Sequence, residues 1–308
     1  MDSEKSGWLY LTLILLFMAM YVSSAAGAVF GTDIIEDIII NESVILIPSI
    51  LFAVFNKSDI KKTFRLKKVK ISTLFLSILY TMLFYPLIVA LNALSMTFTD
   101  NAMLGLSDEI LAVPFPVTLF VFAFAAPLCE ELAFRGAIFS GLRTSGKIFV
   151  SIVLQALMFG CMHLNFNQMM YAFAIGIAFG LIVEATGSIW TSYVGHMLIN
   201  GFGVTALYYL SPMIEKITAE SGISAEQTES PATMLMVAGF YGALSVATVA
   251  MAILLLKAIA ANEGSTDALR NIFKKKNRGE ITSPVISLPM ILALIISVII
   301  MIIIAVLG

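Results

Sequence analysis

The sequence predicts an all-α, polytopic transmembrane helical bundle of eight or nine spans. Three observations predict it. Of 308 residues, 59% are hydrophobic and only 12% charged, with a mean hydropathy of +0.97, far from the composition of soluble domains. The apolar residues fall in runs long enough to cross a bilayer, which takes about 20 residues as a helix. Those runs do not alternate apolar with polar, so a transmembrane barrel is excluded.

In chain order nine runs qualify by apolar length: roughly 8–30, 38–55, 71–95, 112–138, 148–165, 168–187, 189–210, 233–257 and 285–307. The first is longer than a signal-peptide core of about 7 to 15 residues. Although Ala26, Gly27 and Ala28 faintly resemble a cleavage site, the run is read as a retained span. The second is the weakest, because Asn41 and Glu42 interrupt its start. The chain divides into N-terminal helices (1–111), a central block (112–210) and C-terminal helices (211–308), with no soluble domain. Gly176 and Gly180 form a GxxxG pair, which lets helices approach closely.

Loop charge predicts orientation. Between 57 and 70 lie Lys57, Lys61, Lys62, Arg65, Lys67, Lys68 and Lys70 against Asp59 alone, which marks a cytoplasmic loop. Alternation then places 31–37, 96–111 and 211–232 outside. Those loops hold Asp33, Glu36, Asp37, Asp100, Asp108, Glu109, Glu215, Glu220, Glu226 and Glu229, with Lys216 their only basic residue. It places 139–147 inside with Arg143 and Lys147, and 258–284 inside with Arg270, Lys274, Lys275, Lys276 and Arg278. The expectation is a plasma-membrane protein with a cytoplasmic N-terminus, partnered by membrane lipid and not by nucleic acid.

Inside this hydrocarbon sequence stand two adjacent carboxylates and a guanidinium: Glu130, Glu131 and Arg135. Each ionisable group at membrane depth costs about 2.5 to 3.5 kcal/mol on insertion scales, so such groups mark function by default. Glu131 and Arg135, four apart, share a helix face and can pair. Glu130 points about 100° away. Pro127, one turn upstream, lacks a backbone donor and is expected to kink the helix beside Glu130. The only two histidines, His163 and His196, fall within or at the end of other spans. His196 shares a face with Asn200, and His163 with Phe159. If these polar groups turn inward they converge. A carboxylate base, imidazoles and an amide donor are the parts that activate water and stabilise an oxyanion. Cys129 and Cys161 are read as small, packed, structural residues, not as a disulfide or a nucleophile.

Glu130-Glu131-x-x-x-Arg135, Phe159-x-x-x-His163 and His196-x-x-x-Asn200, in that order, resemble the three motifs of the CAAX protease and bacteriocin-processing family. This is the CPBP or Abi family of intramembrane proteases, which includes the type II CAAX prenyl endopeptidase. The resemblance covers about 115–210 and makes the central block a CPBP/Abi-like catalytic core. It implies a glutamate-dependent intramembrane endopeptidase. Glu130 would be the general base activating water with His163 assisting, His196 and Asn200 would stabilise the oxyanion, and Glu131 and Arg135 would support the site. The substrate would be a prenylated CAAX protein or a membrane-associated peptide. No cofactor is expected. The alternative is a divalent metal such as zinc on Glu130, His163 and His196, since two His and a Glu form zinc sites in some metallopeptidases, although HExxH is absent. Rival readings are a transporter with an intramembrane Glu/His relay and a non-catalytic membrane partner in bacteriocin self-immunity.

Overall fold

The computed structural model describes residues 2–25, 33–221, 230–274 and 284–307. Ala26, Gly27 and Ala28, and the loop charges Glu226, Glu229, Lys275, Lys276 and Arg278, lie outside them. Among the described residues there is no strand, only an isolated bridge between Leu66 and Ser188. Among the same residues eight helices are long and apolar enough to cross a membrane, and a ninth apolar helix is shorter. In order they are α1 (Ser3–Ser23), α2 (Ile34–Phe55), α3 (Ile71–Ser95), α4 (Phe115–Arg143), α5 (Ile148–Met162), α6 (Phe166–Thr186), α7 (Trp190–Thr218), α8 (Pro231–Asn262) and α9 (Leu288–Val306).

Large apolar side chains stand outward along these helices. Phe55, Ile71, Val246 and Val306 are 73 to 76% exposed. A water-soluble protein rarely leaves contiguous apolar surface uncovered, so these faces are built for lipid. Inside, one apolar core joins α1, α2, α4, α5 and α9, and a second joins α3, α6 and α8. α1 packs along α9, α3 along α8, and α5 along α6.

The α5–α6 contact needs a missing side chain. A Cβ on Gly176 would lie 2.8 Å from both Cα and Cβ of Ala156, closer than real atoms approach. Gly176→Leu should therefore cost about 1–3 kcal/mol by overpacking. It should lower the melting temperature of detergent-purified protein, whereas Gly239→Leu, which meets nothing within 4 Å, should not. Equal melting temperatures for the two variants would contradict this packing.

Two expectations are corrected. α2 starts at Ile34, where the Asp33 side chain accepts hydrogen bonds from the backbone of Ile35 and Glu36. Asn41 and Glu42 are therefore about two turns inside the helix instead of interrupting its start. α5 has 15 residues, about 22 Å at 1.5 Å per residue, and does not reach across a core of about 30 Å. His163, which caps its C-terminus, thus stops short of the far face. α4 stays helical through Pro127. It runs through with two wider π-helical stretches, Leu119–Ala125 and Leu132–Ile138, on either side of Ala126–Glu131. π-turns concentrate at functional sites, and here they flank the two glutamates.

The loops sort to two ends as alternation expects. At one end the hydroxyl of Ser6 donates to Ile138 O (3.1 Å), Ile189 N to Arg65 O (3.2 Å), and Lys70 N to Glu263 Oε1 (3.0 Å). This gathers the N-terminus, the 57–70 loop, the end of α4, the α6–α7 turn and the segment after α8. At the other end the Tyr208 hydroxyl donates to Ile110 O (2.6 Å) and Asn167 to Ser95 (2.8 Å).

Candidate active site

α4 and α7 lie side by side, and side chains of α7 satisfy carbonyls that the π-stretch exposes. Ala126 N–H bonds Val121 O, so continuing that register would pair Phe122 O with residue 127. Pro127 has no N–H to give. The side-chain amide of Asn200 supplies the donor instead, Nδ2 to Phe122 O at 3.0 Å. Two turns back along α7, the Tyr193 hydroxyl donates to Phe124 O at 3.2 Å. The proline that predicted a kink thus anchors a predicted site residue.

Next to this seam Glu131 is fully buried and receives three partners. Its Oε1 lies 3.0 Å from Arg135 Nη1 and 3.0 Å from His196 Nδ1. Its Oε2 accepts from the Ser192 hydroxyl at 2.5 Å. Arg135 is equally buried, and its guanidinium carbon stands 4.0 Å from the centroid of Phe159 and 5.3 Å from that of Phe179. The rings supply the cation–π attraction that a desolvated guanidinium favours. A carboxylate paired with an arginine has no proton to offer, so the proton between Glu131 and His196 sits on Nδ1. That fixes the ring with Nε2 toward Glu130, whose Oε2 is 3.4 Å away.

Glu130 is the less confined carboxylate. Its side chain keeps 16% exposure, and its Oε2 has no hydrogen-bond donor. It lines a cavity of about 170 Å³ with His163. His163 caps α5, and its Nδ1 is 3.0 Å from Phe159 O. A carbonyl only accepts, so Nδ1 carries the proton and Nε2 keeps its lone pair. The Phe159 ring contacts both imidazoles edge-on, at 5.1 Å from His163 and 5.8 Å from His196. The structure therefore links Glu130, Glu131, Arg135 and His196 in one chain of contacts. Asn200 stands one turn along α7, and His163 stands across the cavity. Cys129 and Cys161 are both unpaired thiols.

Sequence reasoning missed three groups. Ser192 precedes His196 by four residues, so Ser192, His196 and Asn200 form one stripe on α7. That periodicity was readable. Glu42 and Gln168 line the same cavity as Glu130 and His163. One oxygen of Glu42, Oε2, is buried with no partner. An ionisable residue inside a span was a signal in itself; it lost its weight when the helix start was placed too late.

Among the described residues no three His, Cys, Asp or Glu side chains are grouped so as to hold a metal ion. Glu130, His163 and His196 are not such a group in this arrangement, while Glu131 and the Phe159 carbonyl each engage only Nδ1 of an imidazole and leave Nε2 of His196 and His163 open.

A family model described as type II CAAX prenyl endopeptidase Rce1-like matches residues 112–202. The chain is also 29% identical over 97 residues to a Bacillus subtilis (strain 168) protein named "Putative membrane peptidase YdiL". That match covers 32% of this chain and 39% of the relative, so it spans about two-fifths of the relative's length. No solved structure matches. The family model covers the block in which Glu130, Glu131, Arg135, His163, His196 and Asn200 all lie, and over that block the chain is similar to the CAAX prenyl endopeptidase-like membrane peptidases.

Proposed function

We propose that this protein is an intramembrane endopeptidase of the CAAX-processing type, in which Glu130 activates water for attack on a peptide bond. The observation that carries the reading is the contrast between the two glutamates. Glu131 is consumed by Arg135, Ser192 and His196, while Glu130 borders a cavity and its Oε2 takes no hydrogen bond, with His196 Nε2 3.4 Å away. A general base must be within reach of the proton it takes and free to take it.

Water held between Glu130 and His163 Nε2 gives up its proton to Glu130 as its oxygen attacks the carbonyl carbon. Asn200 spends one amide hydrogen on Phe122 O. Its second donates to the developing oxyanion, a contribution of about 10²–10³ in rate per donor in other hydrolases, and His196 adds a donor in the state where Nε2 carries a proton as well as Nδ1. The tetrahedral intermediate collapses as the proton passes from Glu130 to the leaving amine. Glu131 and Arg135 act through His196 by holding its tautomer and angle. No step requires a metal.

The substrate reading is a prenylated CAAX protein or another membrane-associated peptide. The test is cleavage of a fluorogenic farnesylated CAAX peptide by detergent-purified protein, beside the unprenylated peptide and a leader peptide. Wild type is expected to cleave with or without 1,10-phenanthroline, and His196→Ala to lose most activity. Inhibition by the chelator, reversed by added zinc, would replace the metal-free mechanism. Cleavage of none of the three, by protein whose fold is verified, would overturn the peptidase reading for these substrate classes.

Glu42 fits this reading as a carboxylate kept in place for the cavity. A buried oxygen left without a donor costs about 1–3 kcal/mol, and such costs persist where function needs them. Glu42→Met is expected to raise the melting temperature and lower turnover. A variant both more stable and fully active would remove Glu42 from the site.

A further inference from the structure

A second concavity stands apart from the candidate active site. It is a cleft of about 790 Å³ at the end where the basic loops gather. Five cationic side chains line it, Lys61, Lys62, Arg65, Lys67 and Arg143, against one carboxylate, Glu184. Orientation by loop charge requires cations in a loop. It does not require cations from the 57–70 loop and from the end of α4 to converge on one cleft, nor an arginine buried at its wall.

Arg65 is that arginine. Its side chain is 11% exposed, its Nε donates to the Ser140 hydroxyl at 3.0 Å, and its guanidinium lies 4.6 Å over the Phe139 ring. The backbone at Arg65 is left-handed, with φ 49°. Non-glycine residues held so are strained, and such strain clusters at ligand clamps. The bridge between Leu66 and Ser188 and the Ile189 N–H bond to Arg65 O hold this conformation.

The lining carboxylate is already spoken for. Glu184 accepts two hydrogen bonds of 2.7 Å from Arg143 and is 3.8 Å from Arg65. Burial pushes the Arg65 guanidinium down to about 10, with Glu184 opposing the fall and Arg143 adding to it. Asp59 also stands 3.8 Å from Lys62 and Glu263 3.9 Å from Lys67, so three carboxylates face five cations and the pocket's positive charge is only partly compensated from within the chain. Its level in the membrane is set by its walls. α4 ends at Arg143, α6 ends at Thr186, and α3 begins four residues after Lys67, so the cleft sits where spanning helices end and headgroups begin.

We propose that this cleft binds a phosphate-bearing anion, the headgroup of an anionic phospholipid of the surrounding leaflet. A headgroup phosphate reaches this depth without leaving the membrane, and the guanidinium fork suits its oxygens.

The test is thermal denaturation of the full chain in dodecyl maltoside, titrated at fixed ionic strength, because exposed charges are screened by salt. The probes are dihexanoyl-phosphatidylglycerol, dihexanoyl-phosphatidylcholine and inorganic phosphate. Saturable stabilisation by the anionic lipid and not by the zwitterionic one is expected. Lys61 and Lys62 are exposed, so a Lys61→Gln, Lys62→Gln variant should fold. It should need about fivefold more lipid per lysine removed, from about 1 kcal/mol each. Lys257→Gln, outside the cleft, should shift nothing. If inorganic phosphate saturates with the same lysine dependence, the site stands and its occupant is a soluble phosphate. Equal response to both lipids, or an equal shift from Lys257→Gln, overturns the proposal.

Discussion

Glu130→Gln protein is expected to fold as wild type does and to cleave its peptide about 10²- to 10⁴-fold more slowly, the usual contribution of a positioned general base. The two halves of that expectation have separate grounds. The fold is spared because Glu130 Oε2 takes no hydrogen bond and the side chain borders a cavity. Replacing one oxygen by an amide there leaves no partner stranded. Activity is lost because an amide cannot accept the proton of the attacking water. The loss should appear in kcat with KM little changed, since an interaction made in the transition state is being removed. Melting temperature measured on the same preparation separates the two effects. Turnover within threefold of wild type would move the base elsewhere, with His163 as the next residue to replace.

Much of this geometry was legible in the chain. Four-residue spacing predicted that Arg135 meets Glu131, and the pair stands at 3.0 Å. The same spacing predicted that Phe159 and His163 share a face, and the ring contact is 5.1 Å. Hydropathy found all nine helices, because burial in lipid imposes long uninterrupted apolar runs. What failed was local. Residue preference does not announce where a helix widens to π register, and the missing donor at Pro127 was visible while the compensating Asn200 amide was not. The start of α2 was placed four residues late, because Asn41 and Glu42 look like a boundary until a cavity is known to receive them. The depth of His163 depended on α5 being 15 residues long, and helix ends are the least certain feature of any sequence.

The Glu131–Arg135 pair should behave in the opposite way to Glu130. Both side chains are fully buried, and breaking a buried pair by removing one partner costs about 3–5 kcal/mol, because the survivor is an uncompensated charge. Glu131→Ala is expected to fall far in melting temperature and in yield, and to lose activity with the fold. Arg135→Met should do much the same, with the added loss of the contacts to Phe159 and Phe179. A stability loss alone would leave open whether the pair matters only for folding. The double variant Glu131→Leu, Arg135→Met resolves it. Replacing a buried pair by apolar groups of similar volume is often neutral or stabilising, so the double variant should recover most of the melting temperature lost by either single one. Its activity should not return, because His196 Nδ1 then has no carboxylate to fix the tautomer that turns Nε2 toward Glu130. Recovery of both stability and turnover would make the pair a packing device. Recovery of stability alone would assign it to positioning His196, and would explain why two charges are kept inside a membrane when apolar residues would pack there.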